Sequence, residues 1–250
     1  AKPAMSLPAI KFTQSTSLFN VLPAAKINST PLSFEDLNQA YGFVLYRTTI
    51  NGGKSGLLKI KDLRDYGLIY VNGKRVGIVD RRKYQDSLTI NLPKGKVTLD
   101  ILVENLGRIN FGPYLLKNKK GITEKVLFAG TEVKNWKMYS LPFDDINKVK
   151  VNASVKKAVA NNAPQLKKAV FKVDKLADTY LDMSKWGKGI IWINGHNLGR
   201  YWYYGPQQTV YVPAEWLKKG DNQITVLELI KPSENTLNAI DHPILDVLGK

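Results

Sequence analysis

The sequence predicts an all-β protein built from two β-sandwiches. Short segments rich in β-branched and aromatic residues recur along the chain, separated by Gly, Pro and Asn turn signals. One such pattern occurs twice, around Asn72-Gly73 and again around Asn194-Gly195. Short strands with frequent turns are typical of sandwiches and barrels, and a duplicated pattern is most simply explained by two domains of one design.

Each copy of the pattern begins with a β-hairpin. The apolar run of residues 190–193 stops at Asn194-Gly195, and residues 68–71 stop at Asn72-Gly73. Asn and Gly adopt the positive φ values that a two-residue hairpin turn requires. Further along, Ile224-Thr225-Val226 repeats the character of Val97-Thr98-Leu99, which aligns Thr98 with Thr225, and both strands end at a glutamate, Glu104 and Glu228.

The remaining elements follow in order. Residues 1–31 hold one plausible strand, 10–22, that can dock on either sandwich. Ser33-Phe34-Glu35-Asp36 has the character of a helix N-cap followed by acids, so we expect a short helix to about Ala40. Beyond it the pattern predicts strands at residues 43–50, 57–60, 68–71, 76–79, 87–92, 97–103, 122–127, 136–141, 198–202, 209–212 and 223–229, with an added strand near 244–248.

The domain boundary is expected where the composition changes. Between Asp144 and Leu166, Lys, Asn and Ala replace the aromatic residues, and the alternation of apolar and polar residues that is typical of strands is lost. We therefore predict an N-terminal linker or strand segment at 1–31, a first domain at 32–144, a linker at 145–164 and a second domain at 165–250.

Composition excludes several classes of site. The chain has 250 residues, enough for two cores, and has no Cys, which removes disulfides and thiolate metal sites. It has no run of about 18 apolar residues, so no membrane span is predicted. The first residues lack the apolar core of a signal peptide and do not begin with Met, so we expect either an artificial start or a cut from a longer protein.

The formal net charge of +16 raises the possibility of a nucleic-acid partner. Most of the excess is Lys, spread over turns such as Lys94, Lys119-Lys120 and Lys218-Lys219. Scattered Lys in loops favours solubility and protection of sheet edges over recognition of a polyanion. Nucleic-acid binding is kept as an alternative, with the expectation that it is not the function.

The titratable residues do not suggest a catalytic centre. A retaining glycosidase needs two carboxylates about 5 Å apart in a sugar pocket. Glu104 and Glu228 occupy matching strand ends, which favours a shared structural role as hydrogen-bond acceptors, and Glu215 has no evident partner. His196 and His242 are too isolated to form a metal-ligand cluster.

Several segments carry a family resemblance. The run W-I-N-G-H-N-L-G-R-Y-W at residues 192–202, with G-P-Q-Q-T-V-Y-V-P and I-T-V-L-E-L after it, resembles the C-terminal jelly-roll domain of glycoside hydrolase family 35 β-galactosidases. Y-G-F-V-L-Y-R-T at 41–48 and V-E-N-L-G-R-I-N-F-G at 103–112 resemble the β-domain that precedes it. The matching blocks cover most of residues 31–143 and 178–230.

The resemblance implies two galactose-binding-like jelly-roll β-sandwiches that normally lie behind a catalytic (β/α)8 barrel, which this chain does not include. The catalytic glutamates of the family belong to that barrel, so the resemblance implies a non-catalytic portion, inactive alone, whose partner is the barrel. No cofactor is expected. A structural calcium ion is common in related sandwiches, but its ligands cannot be chosen from the sequence.

Two groups of residues are candidates for galactoside binding, because pyranose rings pack on aromatic faces and their hydroxyls pair with planar donors. They are Arg108, Asn110 and Phe111, in a loop that by resemblance faces the sugar pocket of the barrel, and Arg200, Tyr201 and Trp202. The competing interpretation is that the aromatic residues form core or pack on the barrel, and that both arginines brace loops. A stand-alone carbohydrate-binding module is the main functional alternative.

Overall fold

A computed structural model describes residues 3–151 and 162–249, which divide into two compact units. We call Leu22–Asp144 the first sandwich, and Ala1–Val21 together with Asp145–Lys250 the second sandwich. Most of the linker predicted at 145–164, namely 152–161, lies outside the described residues.

The described residues form 21 strands and five short 3-10 turns. The strands are β1 Leu7–Lys11, β2 Gln14–Ser17, β3 Lys26–Asn28, β4 Phe43–Asn51, β5 Lys54–Ile60, β6 Leu63–Arg64, β7 Tyr66–Val71, β8 Lys74–Asp80, β9 Ser87–Leu92, β10 Lys96–Glu104, β11 Gly121–Ile122, β12 Val126–Phe128, β13 Thr131–Val133, β14 Trp136–Leu141, β15 Gln165–Val173, β16 Thr179–Asp182, β17 Lys188–Ile193, β18 His196–Trp202, β19 Thr209–Val212, β20 Gly220–Glu228 and β21 Thr236–Ile240. The 3-10 turns are Leu18–Asn20, Arg81–Lys83, Leu115–Lys117, Ile146–Lys148 and Ala214–Trp216. Within these residues no helix is long and apolar enough to cross a membrane.

The first sandwich packs a six-stranded sheet, in the order β3-β14-β4-β10-β7-β8, against a four-stranded sheet, β13-β12-β5-β9. The short pair β11-β6 forms a third, two-stranded sheet. Alternate residues of the long strands, such as Val44 and Tyr46 in β4 and Leu58 and Ile60 in β5, are buried in one core. This is the arrangement that period-2 patterning predicts for two sheets packed face to face.

The second sandwich has a five-stranded sheet, β18-β17-β20-β15-β2, and a four-stranded sheet, β1-β21-β16-β19. Its core includes Ile191 and Val226 from the first of these sheets and Leu181 and Val212 from the second. The N-terminal strands extend both sheets, since β2 pairs with β15 and β1 with β21. The segment 1–31, expected to hold one strand and a linker, thus forms three strands. β1 and β2 group with the second sandwich, whereas β3 pairs with β14 in the first.

Both predicted hairpins are confirmed. The turn residues have positive φ in each copy, 48° and 78° for Asn72 and Gly73 and 49° and 86° for Asn194 and Gly195. The side chain of each Asn also ties its turn to the central strand, because its Oδ1 accepts a hydrogen bond of 2.9 Å from the backbone N–H of Thr98 or of Gln223.

The strand register corrects the sequence alignment of the two copies. Asn72 N–H donates to Thr98 O, and Asn194 N–H donates to Gln223 O, so Thr98 corresponds to Gln223 and not to Thr225. When the two strands β10 and β20 are aligned in this way, Glu228 corresponds to Val103, and Glu104 is the next residue along β10. Because successive strand residues face opposite sides of a sheet, the predicted equivalence of the two glutamates is wrong.

Three further element predictions are wrong. Ser33 and Asp36 do form reciprocal capping hydrogen bonds, but the expected helix stops after a single turn, where Asn38 takes a φ of 55°. The strand expected at 122–127 is split between β11 and β12. The last strand is Thr236–Ile240 instead of 244–248, because it pairs with β1 and β16.

Candidate functional site

The first group of candidate residues lies in the β10 loop, which we define as residues 105–120, between β10 and β11. Phe111 is 88% exposed, and Leu116 is 98% exposed. Ile109, Tyr114 and Leu115 are exposed as well, as is Asn110. The loop therefore presents an apolar surface to solvent, which is typical of a contact with another protein or a ligand.

A buried ion pair holds both ends of this loop. The carboxylate of Asp65 accepts a 2.9 Å hydrogen bond from the N–H of Leu106 at the start of the loop. It also accepts two hydrogen bonds, of 2.8 and 3.0 Å, from the ammonium of Lys120 at the end. Asp65 is 6% exposed and Lys120 is 3% exposed, so each charge compensates the other out of water.

A second carboxylate repeats this arrangement nearer to the surface. Glu35 Oε1 accepts from Arg108 Nη2 at 2.6 Å, and Oε2 accepts from the backbone N–H of Lys120 at 3.0 Å. Arg108 Nη1 also donates to the carbonyl of Ala40. Burial acts to raise the pKa of Glu35, but the hydrogen bonds from Arg108 and Lys120 outweigh it and hold that pKa below its ordinary value. Arg108 braces the loop, as the competing interpretation predicted.

Beside the loop the first sandwich has an open cleft of about 350 Å³. Its lining includes Arg81, Arg82, Arg108 and Lys120, with Asp65 as the acidic residue. The acids Asp65, Asp80 and Glu35 each form an ion pair with one of these cations, at distances of 2.6 to 2.8 Å. The cleft is thus a hydrogen-bonding surface of largely compensated charge next to the apolar tip of the loop.

The second group of candidates lies at the end of β18 and is largely used inside its own sandwich. Tyr201 is 5% exposed, and its hydroxyl lies 2.9 Å from Glu228 Oε2 and 3.0 Å from the carbonyl oxygen of Leu227. Burial, with the neighbouring carboxylate, raises the pKa of Tyr201 well above its ordinary value. Tyr201 is therefore a core residue whose hydroxyl is engaged inside its own sandwich, and its role as a sugar contact stays a prediction.

Trp202 is partly buried under a lysine. The ammonium of the buried Lys188 lies 3.8 Å from the centre of the Trp202 ring, a close cation–π contact, and the ring of Tyr204 packs at 5.2 Å on Trp202. Arg200 is exposed, with its guanidinium carbon 6.0 Å from the same ring. The structure thus brings Arg200 and Trp202 together, on a surface already supported from within.

Glu228 acts as a structural acceptor, as predicted. It is fully buried, and its two oxygens accept hydrogen bonds from four backbone N–H groups and one hydroxyl. The donors are Gly187, Lys188, Tyr201, Ile230 and Lys231. A carboxylate saturated in this way fixes a strand end and is not available as a nucleophile or acid.

A cluster of oxygen acceptors in the second sandwich is occupied by a lysine. The ammonium of the buried Lys167 donates to the carbonyl oxygens of Pro232 and Glu234 and to Asn235 Oδ1. Because a cationic side chain already fills this cage of oxygens, a calcium ion does not fit there. Among residues 3–151 and 162–249, no three His, Asp or Glu side chains gather as metal ligands.

The contacts made by Asp65, Glu35 and Lys120 escaped the sequence analysis. Asp65 and Lys120 are 55 positions apart, and Glu35 and Lys120 are 85 apart. Neither spacing follows a helix or strand period, so no local pattern could have linked these residues. Their only sequence signal is a charge placed between apolar strand segments.

Two family profiles match the chain. Residues 31–142 match the profile described as "Beta-galactosidase, first all-beta domain", and residues 164–222 match "Beta-galactosidase, galactose-binding domain". The first match contains the whole β10 loop with both carboxylates. The second contains Arg200, Tyr201 and Trp202.

Curated relatives are β-galactosidases of much greater length. The chain is 39% identical to the Xanthomonas manihotis β-galactosidase over 83% of this chain and 34% of that protein. It is 34% identical to Dictyostelium discoideum β-galactosidase 1 over 88% and 37%, and 35% identical to Arabidopsis thaliana β-galactosidase 17 over 94% and 38%. The matched region thus spans about a third of these relatives. The apo lectin of Pleurotus ostreatus aligns over 96% of this chain and 79% of its own at 13% identity, with a TM-score of 0.25, too low to support an argument.

Proposed function

Because this chain belongs to the β-galactosidase family, we propose that it is the non-catalytic portion of a longer β-galactosidase and that its sandwiches support a catalytic (β/α)8 barrel. The observation that carries the proposal is the exposed apolar tip of the β10 loop in the first sandwich. A loop in which Phe111 is 88% exposed and Leu116 is 98% exposed presents apolar surface to water, and covering that surface with a partner is favourable.

We further propose that Asn110 and Phe111 contribute to galactoside binding once the barrel is present. Phe111 offers an exposed aromatic face, and Asn110 beside it offers an amide that both donates and accepts hydrogen bonds. Arg108 acts indirectly in this proposal, because its guanidinium is engaged with Glu35 and Ala40. Arg200 and Trp202 are a second surface on which sugar binding is tested in parallel.

Complementation in trans tests the proposed support of a barrel. The Xanthomonas manihotis β-galactosidase would be truncated by the segment that this chain matches, and hydrolysis of a nitrophenyl galactoside would be measured with and without added chain. We expect the wild-type chain to bind the truncated enzyme and restore activity, and Leu116→Ala to weaken binding at least fivefold. Ile27→Ala is the matched control, because Ile27 is a 70% exposed aliphatic residue of the same sandwich outside the loop.

An absence of both association and restored activity with the wild-type chain would count against the support role. Titration of the chain alone with galactose and lactose, followed by NMR, addresses the alternative of a stand-alone binding module. Saturable shifts at the Phe111 or Trp202 loops would favour that module. Flat spectra to tens of millimolar would restrict sugar contact to the complete enzyme.

A further inference from the structure

We propose that Asp65 and Glu35 are positioning residues that hold the β10 loop in one conformation, so that Asn110 and Phe111 meet the galactoside at a fixed place. This inference rests on the proposed function for its consequence, but its structural part stands by itself. Each carboxylate contacts the beginning and the end of the same loop, and the exposed apolar tip lies between these ends.

The contact made by Asp65 is the stronger of the two. Its oxygens accept from Leu106 N–H and from the ammonium of Lys120, which joins residues 14 positions apart at a single side chain. Both charged groups are almost fully buried. Removing one member of such a pair leaves the other charge uncompensated in a medium that solvates it poorly, so the ends of the loop are expected to separate.

Glu35 supplies the second contact at a more exposed position. It receives the guanidinium of Arg108, three residues before Phe111, and the backbone N–H of Lys120. Arg108 in turn donates to the Ala40 carbonyl, so the chain before Phe111 is tied to two points of the sandwich. Arg108 Nε and Nη2 both donate to Oε1 of Glu35, at 3.2 and 2.6 Å, and two charge-assisted hydrogen bonds fix the orientation of the guanidinium as well as its distance.

The tip of the loop is held by different and weaker means. Ile109 N–H donates to Asn118 Oδ1 at 3.2 Å, and Leu115–Lys117 forms a single 3-10 turn. The side chains of Phe111, Tyr114 and Leu116 extend into solvent. Fixed ends with a solvent-exposed tip form a preorganised binding element, since the conformational entropy of the loop is lost during folding and not during binding.

The matched control for a clamp variant is a second ion pair of the same sandwich whose carboxylate is buried. Asp100 is 1% exposed and accepts from Arg47 Nε at 2.7 Å, between β10 and β4 and outside the loop. Asp65→Asn and Asp100→Asn therefore make the same chemical change at two buried carboxylates, although the Arg47 side chain is 26% exposed and that of Lys120 is 4% exposed. If Asp65 contributes only to the stability of the sandwich as a whole, Asp65→Asn and Asp100→Asn should change the hydrogen exchange of the loop to a similar extent.

Amide hydrogen exchange and trypsin cleavage of the full chain test the clamps. We expect Asp65→Asn to speed exchange at Leu106, Ile109 and Lys120 at least tenfold and to speed cleavage after Arg108 and Lys117, with strands β4 and β10 still protected. Asp100→Asn is expected to leave the exchange of the loop within twofold of wild type. Equal loop protection in Asp65→Asn and wild type would overturn the inference.

Glu35→Gln provides a variant that folds even if Asp65→Asn does not, because Glu35 is partly exposed; we expect about threefold faster loop exchange. In the complemented enzyme, both clamp variants should raise KM at least fivefold with a smaller change in kcat. A loosened loop with unchanged KM would overturn the positioning role. Failure of the wild-type chain to complement would instead refute the proposed function and leave the exchange result to decide on the clamps.

Discussion

The β10 loop of the first sandwich and the aromatic run at the end of β18 in the second sandwich have similar sequences but opposite uses. Both place a Gly before an Arg and aromatic residues shortly after it. In the β10 loop the polar groups anchor the two ends, and the aromatic rings extend into solvent. In the second sandwich Tyr201 is in the core and Trp202 packs beneath Lys188.

The difference lies in what the neighbouring buried carboxylate binds. Asp65 is bound by the two ends of a loop, whereas Glu228 is bound by its own strand ends and by the hydroxyl of Tyr201. Glu228 therefore holds the Tyr201 hydroxyl inside the sandwich, whereas Asp65 accepts from a backbone N–H and a lysine. Similar composition therefore does not imply a similar surface.

The largest expected effect comes from removing the acceptor of the second sandwich. Glu228→Ala should lower the free energy of unfolding of that sandwich by about 4 kcal/mol, because four backbone N–H groups and a buried hydroxyl lose their partner. Tryptophan fluorescence during urea unfolding suits the measurement, since Trp186, Trp192, Trp202 and Trp216 lie in the second sandwich and Trp136 in the first. Asp221→Ala, at an exposed acid of the same strand β20, is the control. A change below 1 kcal/mol in Glu228→Ala would contradict the structural role.

The next expected effect is a contrast between two aromatic truncations. Trp202→Ala should cost about 2 kcal/mol of stability, because the ring is partly buried under a cation. Phe111→Ala should cost less than about 0.5 kcal/mol, because Phe111 is 88% exposed, yet it should weaken complementation of the truncated enzyme. Thermal unfolding and the hydrolysis assay together measure the contrast. Equal destabilisation in both variants would remove the distinction between the two regions.

The smallest expected effect is the acid response of the Glu35 clamp. The folded state holds the pKa of Glu35 below its ordinary value of 4.5, so the contribution to stability is complete above that value and is lost as the pH falls through the folded-state pKa. For a partly exposed pair the contribution is below about 1 kcal/mol. Urea unfolding of wild type and Glu35→Gln at pH 7 and pH 3 should show a difference at pH 7 that shrinks at pH 3. A difference that grows on acidification would contradict the assigned pKa direction.

The features that could be predicted depend on residues that are close together in the sequence. Asn-Gly turns were recognisable because positive φ at two adjacent positions restricts the choice of residue, and both turns have that geometry. The strands 87–92, 136–141 and 209–212 were predicted at their exact bounds, since their alternation and flanking turns lie within a few residues of each other. The family was recognisable because several of its sequence blocks are long.

Contacts between residues that are distant in the sequence could not be predicted. The N-terminal strands belong to the second sandwich because Ser15 and Lys167 meet in register across about 150 positions, and neither segment carries a signal for the other. The helix expected after Ser33 had a correct cap, but Asn38 turns left-handed and ends it. The predicted equivalence of Glu104 and Glu228 was wrong because the second copy of the pattern contains an insertion. Only the hydrogen bonds between the strands show by how many positions that insertion shifts the alignment.

The sequence by itself determined the all-β class, the repeated hairpins and the family, because each depends on backbone preferences and side-chain alternation between near neighbours. The tertiary structure alone decided which candidate residues face solvent. Tyr201 and Phe111 are both aromatic residues a few positions after a glycine, and only the fold brings a buried carboxylate to the first and leaves the second exposed. The physical reason is that burial and ion pairing are set by groups dozens of positions apart, and their energies do not appear in any local pattern.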